Sequence, residues 1–201
     1  MRLQAWMCGL SMLLLAAGSV GAPRPILVTV DDLPITGATH ADAAERDRIT
    51  TGLLTALAKH RIKAVGLVTW ANLYDASDIR LLERWLEAGH ELGNHSFRHL
   101  DYTRTDSTAY IADVDSCRRA LTTLLSRHGQ TLRFFRFPFL REGETPGKLA
   151  AMRSYLARTG QRNLPVTIDD QDWTFARPWV EARRRQDKAA LDSLGNEYQT
   201  Q

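Results

Sequence analysis

The chain has 201 residues, 44% of them hydrophobic and 24% charged, with a formal net charge of +3. That balance describes globular material with one sizeable core and excludes a disordered segment or an integral membrane protein. The charge is too mild for a nucleic-acid binder and no basic run is interleaved with aromatics; Arg183-Arg184-Arg185 reads as the solvated face of a helix.

Residues 1–22 read as a secretory signal peptide. Arg2 makes a positive start, Leu10 to Ala17 an apolar core, and Val20-Gly21-Ala22 a small-residue cleavage site before Pro23. The apolar core is shorter than the roughly 20 residues a spanning helix needs, and Cys8 precedes it, which argues against a lipoprotein anchor. Periplasmic or extracellular export is therefore expected, with residues 23–201 forming one domain that carries no repeat or linker. Cleavage leaves Cys117 as the only cysteine, so the mature chain can form no internal disulfide.

The first predicted strand is Ile26-Leu27-Val28-Thr29-Val30, which runs into Asp31, Asp32 and a turn proline, Pro34. A helix is expected over Asp42 to His60, with Ile49, Leu53, Leu54 and Leu57 at helical spacing. Val65 to Trp70 reads as a second strand. A second helix, capped by Ser77 or Asp78, carries Ile79, Leu82, Trp85 and Leu86 and stops at Gly89. His90 to His95 is a short third strand. Asp106 to His128 is a long amphipathic helix striped by Ile111, Val114, Leu121, Leu124 and Leu125. Leu132 to Phe137 is a strand broken by Pro138, and a helix follows from Pro146 to Gly160. Asn163 to Ile168 is a further strand that runs into Asp169, Asp170 and Asp172, and a charged helical segment begins near Trp179. Strands alternating with helices predict an α/β fold with a largely parallel sheet.

In such folds ligands gather at the C-terminal ends of strands. Adjacent Asp31 and Asp32 repel each other there, which a cation would relieve, although Asp in such a place also commonly caps a turn. His95 and His99, four apart, are expected on one face of a helical turn, able to point at one ion. One Asp with two His makes three ligands for a first-row metal and leaves positions for water and substrate; the spare carboxylate is a natural base. The same ligand set suits a non-haem iron oxygenase, but the spare Asp suits hydrolysis better.

Thr29-Val30-Asp31-Asp32, His95-Ser96-Phe97-Arg98-His99, Arg136-Phe137-Pro138-Phe139 and Asp169-Asp170-Gln171-Asp172-Trp173 occur in the order of the motifs of polysaccharide deacetylases. The chain thus resembles the NodB-homology domains of carbohydrate esterase family 4 over about residues 26–180. The resemblance implies a distorted (β/α) barrel with one divalent metal, Zn²⁺ first and Co²⁺, Ni²⁺ or Fe²⁺ as alternatives, held by Asp32, His95 and His99. It implies that Asp31 is the general base, removing a proton from a water made acidic by the cation. The Phe139 backbone N–H would donate to the oxyanion. Arg136 would pair with the base, Trp173 would wall the acetyl methyl, and Asp172 would tune a general-acid histidine. The implied substrate is an acetylated glycan, through N- or O-linked acetyl groups. Nothing in the sequence specifies a protein partner.

Two departures stand out. The third motif usually continues Tyr-Gly after its proline, whereas here Phe139-Leu140 follows, which would reshape the groove. The family's late Leu-x-His is missing, because no histidine follows Trp173. The domain is therefore expected to be incomplete at its C-terminus, or the protein to be a glycan-binding relative with impaired turnover.

Overall fold

A computed structural model describes residues 25–36 and 42–200; the expected signal peptide, residues 1–22, lies outside the described residues. Five strands form one sheet in the order β1 to β5, and every neighbouring pair is parallel: β1 Val28–Leu33, β2 Ala64–Val68, β3 Glu91–Asn94, β4 Phe134–Phe135 and β5 Arg162–Asn163. Helices α1 Ala43–Lys59, α2 Ala76–Glu87, α3 Ser107–Ser126 and α4 Pro146–Thr159 make the crossovers. Each strand therefore lies beside its predecessor and the sheet winds in one direction, as a (β/α) barrel wall does. α5 Trp173–Arg184 and α6 Lys188–Gln199 follow as a helical pair.

Local chemistry sets most boundaries. The side chains of Asp42, Asp106 and Thr145 each accept a backbone N–H in the first turn of α1, α3 and α4. α4 ends at Gly160, whose φ of 71° is left-handed. α2 starts earlier than its expected cap: Asp75 is the N-cap, and Asp78 closes a capping box from inside the helix. Asp78 is instead buried against Arg46 of α1, whose Nε donates to its Oδ1 at 2.7 Å.

The late strands are much shorter than their apolar runs predict. Leu164 N–H still reaches the Phe135 carbonyl at 2.8 Å, but Pro165 has no N–H with which to continue the ladder. The stretch to Ile168 is consequently irregular, and Ile168 is exposed. α5 begins at Trp173 rather than near Trp179, because the helix accommodates Pro178 in its interior.

Two apolar clusters cover the sheet. One joins Leu33, Leu57, Val68, Leu82, Trp85, Leu92, Cys117 and Leu121; the other joins Tyr102, Tyr110, Val114, Phe135, Phe137, Met152 and Tyr155. Cys117 is fully buried, and burial pushes its thiol well above the ordinary range, so it is an inert core residue. α3 contributes to both clusters and so ties the two halves of the sheet together.

Candidate metal centre

Successive side chains of a regular strand point to opposite faces, so Asp31 and Asp32 should not meet in one site. The β1–β2 register shifts between Val30 and Leu33, and Asp32 takes a left-handed φ of 60°. This bulge turns the second carboxylate toward the first. Leu33 then locks the strand back into the core over Gly66, where an added Cβ would lie 2.1 Å from Leu33 Cδ1.

Asp31 is held from across the sheet. Arg136 Nη1 donates to Asp31 Oδ1 at 2.6 Å and to Thr29 Oγ1 at 2.9 Å, while its Nε donates to the Leu164 carbonyl at 2.9 Å. Arg136 is buried, so these bonds replace its water and fix the guanidinium. Asp31 Oδ2 remains on the inner side, 3.6 Å from His95 Nε2.

Asp32 Oδ1 lies 3.4 Å from His99 Nε2 and 3.9 Å from His95 Nε2. It also accepts the Thr69 hydroxyl at 2.9 Å, and Asn72 Nδ2 holds the Asp32 carbonyl at 3.0 Å. His95 Nδ1 meets the Arg136 carbonyl at 2.9 Å. A carbonyl can only accept, so Nδ1 carries a proton, and Nε2 is the ring atom turned toward the two aspartates. Burial holds the His99 imidazole below the usual histidine range, favouring the neutral form a ligand needs.

The two histidines do not lie on a helical turn. The stretch after β3 is an irregular loop, with Ser96 at φ 72° and His99 at φ 56°. Ser96 Oγ accepts the His99 N–H at 2.9 Å, and Asn94 Oδ1 accepts the Ser96 N–H at 2.9 Å. The rings come together through this loop, with centroids 5.0 Å apart.

One donor atom each from Asp32, His95 and His99 lie within 4.8 Å of one another. Two imidazoles and one carboxylate form the borderline donor set of a catalytic zinc site and suit Co²⁺, Ni²⁺ or Fe²⁺ as well. The residues present fit a divalent metal.

A matching model of the family described as polysaccharide deacetylase covers residues 19–160. The chain belongs to the polysaccharide deacetylase family. A chitooligosaccharide deacetylase of a Bradyrhizobium species is 27% identical over 168 residues, 82% of this chain and 64% of that protein. A chitin deacetylase of Arthroderma benhamiae is 25% identical over 132 residues, 64% of this chain and 33% of that protein. The chain thus spans about one third to two thirds of the length of these curated relatives. Among solved structures, a family 4 carbohydrate esterase from Streptomyces lividans in complex with acetate has a TM-score of 0.56 at 22% identity, covering 87% of this chain and 86% of that one. A family 4 pseudoenzyme from Bacillus anthracis has the same TM-score at 17% identity, covering 87% of this chain and 60% of that one. These likenesses give the chain the distorted (β/α) barrel fold, of which five strands lie among the described residues.

The remaining expected site residues fall around Asp32, His95 and His99 in different ways. Phe139 sits in a tight turn at φ 57° and ψ 12°, with its ring edge-on to His99 at 4.5 Å and the Arg141 guanidinium 5.6 Å from its centre. Leu140 and Arg141 N–H close that turn on the Phe137 and Pro138 carbonyls, and the Phe139 N–H takes no part in those bonds. Trp173 is 69% exposed at the start of α5, which makes it a surface aromatic and not part of the core. Asp172 precedes it without capping the helix. Desolvation, followed by the charges of Asp170, Asp169 and Asp31, holds the Asp172 carboxyl above its usual range.

Thr29 stood in the first motif without a role, and sequence reasoning missed the supporting residues Thr69, Asn72, Asn94 and Asp113. Thr69 carried a signal, because it follows β2 as His95 follows β3. Asp113 carried another, because it is an acid on the core stripe of α3.

Proposed function

We propose that this polysaccharide deacetylase is an exported, metal-dependent hydrolase that removes N- or O-linked acetyl groups from a polysaccharide or related acetylated sugar. Residues 1–22 act as its signal peptide and 23–201 as the deacetylase domain. The observation that carries the reading is the convergence of Asp32, His95 and His99 beside an Asp31 that Arg136 grips at 2.6 Å.

Asp32, His95 and His99 would hold the ion, zinc first. When bound it supplies Lewis acidity to the acetyl carbonyl and to water. Asp31 presents Oδ2 to the pocket and removes the proton from the attacking water, because Oδ1 is engaged by Arg136. Arg136 keeps that carboxylate from rotating. Phe139 offers its N–H to the oxyanion, and the exposed Trp173 indole offers an apolar wall to the acetyl methyl. Asp172 contributes negative charge at the mouth of the site.

The test is acetate release from acetylated chitooligosaccharides and peptidoglycan fragments, with and without EDTA, and after zinc is restored. Chelator-sensitive release that Asp32→Ala abolishes is the expected result; release that survives either treatment defeats the mechanism. A second reading is a glycan-binding relative with impaired turnover. The family 4 pseudoenzyme among the solved neighbours supports it. Zinc binding and glycan binding without acetate release would select it.

A further inference from the structure

We propose that Asp113, on the buried face of α3, is a positioning residue that fixes the loop bearing His99 and thereby sets the affinity and geometry of the metal centre. The proposal rests on the metal-dependent reading above.

The buried face of α3 runs through Tyr110, Asp113, Val114, Cys117, Leu121, Leu124 and Leu125, and Asp113 is its one charged member. It is 3% exposed. A carboxylate on an apolar helix face loses its water, and an aliphatic side chain would serve packing alone better, so the helix itself gives no reason for the charge.

The reason lies in the loop. Asp113 Oδ2 accepts the Phe97 N–H at 2.9 Å and the Arg98 N–H at 3.0 Å, while Oδ1 accepts Arg98 Nε at 2.8 Å. The next residue acts on the other end of the same loop: the Val114 carbonyl accepts Asn94 Nδ2 at 3.0 Å, and Asn94 Oδ1 accepts the Ser96 N–H. One turn of α3 therefore grips residues 94 to 98 from both sides.

That grip is needed because the loop is strained. Ser96 and His99 both sit at positive φ, a region L-residues leave unless surrounding contacts hold them there. Two successive N–H groups converging on one carboxylate oxygen define the turn that carries the backbone from buried His95 to His99. Without that acceptor the Phe97 and Arg98 amides would face an apolar helix, and the loop would relax toward water. His99 would then leave its 3.4 Å approach to Asp32. Asp113 bonds to the loop's backbone and to Arg98, not to the donor atoms of the triad, so it acts through His99.

The test uses the full chain freed of metal, with zinc affinity from chelator competition, the visible spectrum of the Co²⁺ form, and urea unfolding of the apo form. Asp113→Asn is expected to weaken zinc binding about 10- to 100-fold, the usual range for loss of a residue that orients a ligand, and to change the Co²⁺ spectrum. Asp106→Ala removes the N-cap of the same helix and touches no loop residue; it should lower the unfolding midpoint and leave affinity and spectrum unchanged. Wild-type affinity and spectrum in Asp113→Asn overturn the proposal, as does an equal loss in Asp106→Ala. Should Asp113→Asn not fold, Arg98→Met decides: about threefold weaker binding, the size of one hydrogen bond, supports the proposal, and no change overturns it. If wild type and Asp32→Ala bind zinc alike, the metal reading itself falls, and the role of Asp113 falls with it. If they differ while Asp113→Asn matches wild type, only the role of Asp113 falls.

Discussion

Two acid-rich stretches lie at or beyond the C-terminal ends of strands in this molecule, and only one of them is locked in place by distant partners. Asp31 is gripped by Arg136, 105 residues away in sequence, and Asp32 by Thr69, 37 residues away. By contrast, Asp169 and Asp170 accept N–H groups from Gln171 and Asp172 two residues on, and Tyr198 on α6 reaches Asp170 Oδ2 at 2.9 Å. Asp169 and Asp170 are exposed and held mostly by their own loop. Acids are fixed as a candidate metal site where buried partners from distant segments hold them; elsewhere a cluster of the same residues shapes a surface.

The comparison predicts large effects at the first stretch and small ones at the second. Asp32→Ala should abolish zinc binding at the triad and lower kcat/KM by about 10³-fold or more, since a bound metal contributes several kcal/mol to the transition state. Arg136→Met comes next. It frees Asp31 and leaves the Thr29 hydroxyl and Leu164 carbonyl without their donor, so kcat should fall by about 10²-fold and urea unfolding should show a loss of about 2 kcal/mol. Thr69→Val removes one bond to Asp32; it should weaken zinc binding by about tenfold and cost about 1 kcal/mol of stability. Trp173→Ala should raise KM for glycan substrates while changing stability by less than about 0.5 kcal/mol, because the indole is exposed. An equal stability loss at Trp173 and Arg136 would erase the contrast between the stretches.

The smallest effect concerns pH. Asp172 is held above the ordinary carboxyl range by desolvation and then by Asp170. A carboxyl raised on folding binds its proton more tightly in the native state, so stability declines as pH rises from the unfolded value through the folded one. Asp170→Asn should bring the Asp172 titration, followed by NMR, back toward the ordinary range and slightly raise stability at neutral pH.

Much was legible in the residues themselves. Apolar runs and helical spacing placed β1 to β4 and α1 to α4 within a few residues, because caps such as Asp42, Asp106 and Thr145 and the stop at Gly160 act locally. The motifs also lay where Asp31, Asp32, His95, His99, Arg136 and Phe139 stand, at or past the C-terminal ends of β1, β3 and β4. What proved less legible depends on partners far along the chain. β5 shortened because Pro165 interrupts a ladder with β4, and His95 and His99 share a strained loop where spacing alone suggested a helical turn.

The amino-acid sequence by itself determined which side chains stand at the ends of the strands and in what order, because propensity, capping and apolar period are short-range. Only the tertiary structure decided that Asp31 and Asp32 face the same site. A regular strand sends neighbours to opposite faces, and it is the register break against β2 and the left-handed Asp32 that overrule this. The positions of Arg136, Thr69 and Asp113 were decided the same way, since each acts on a residue that only the fold brings near.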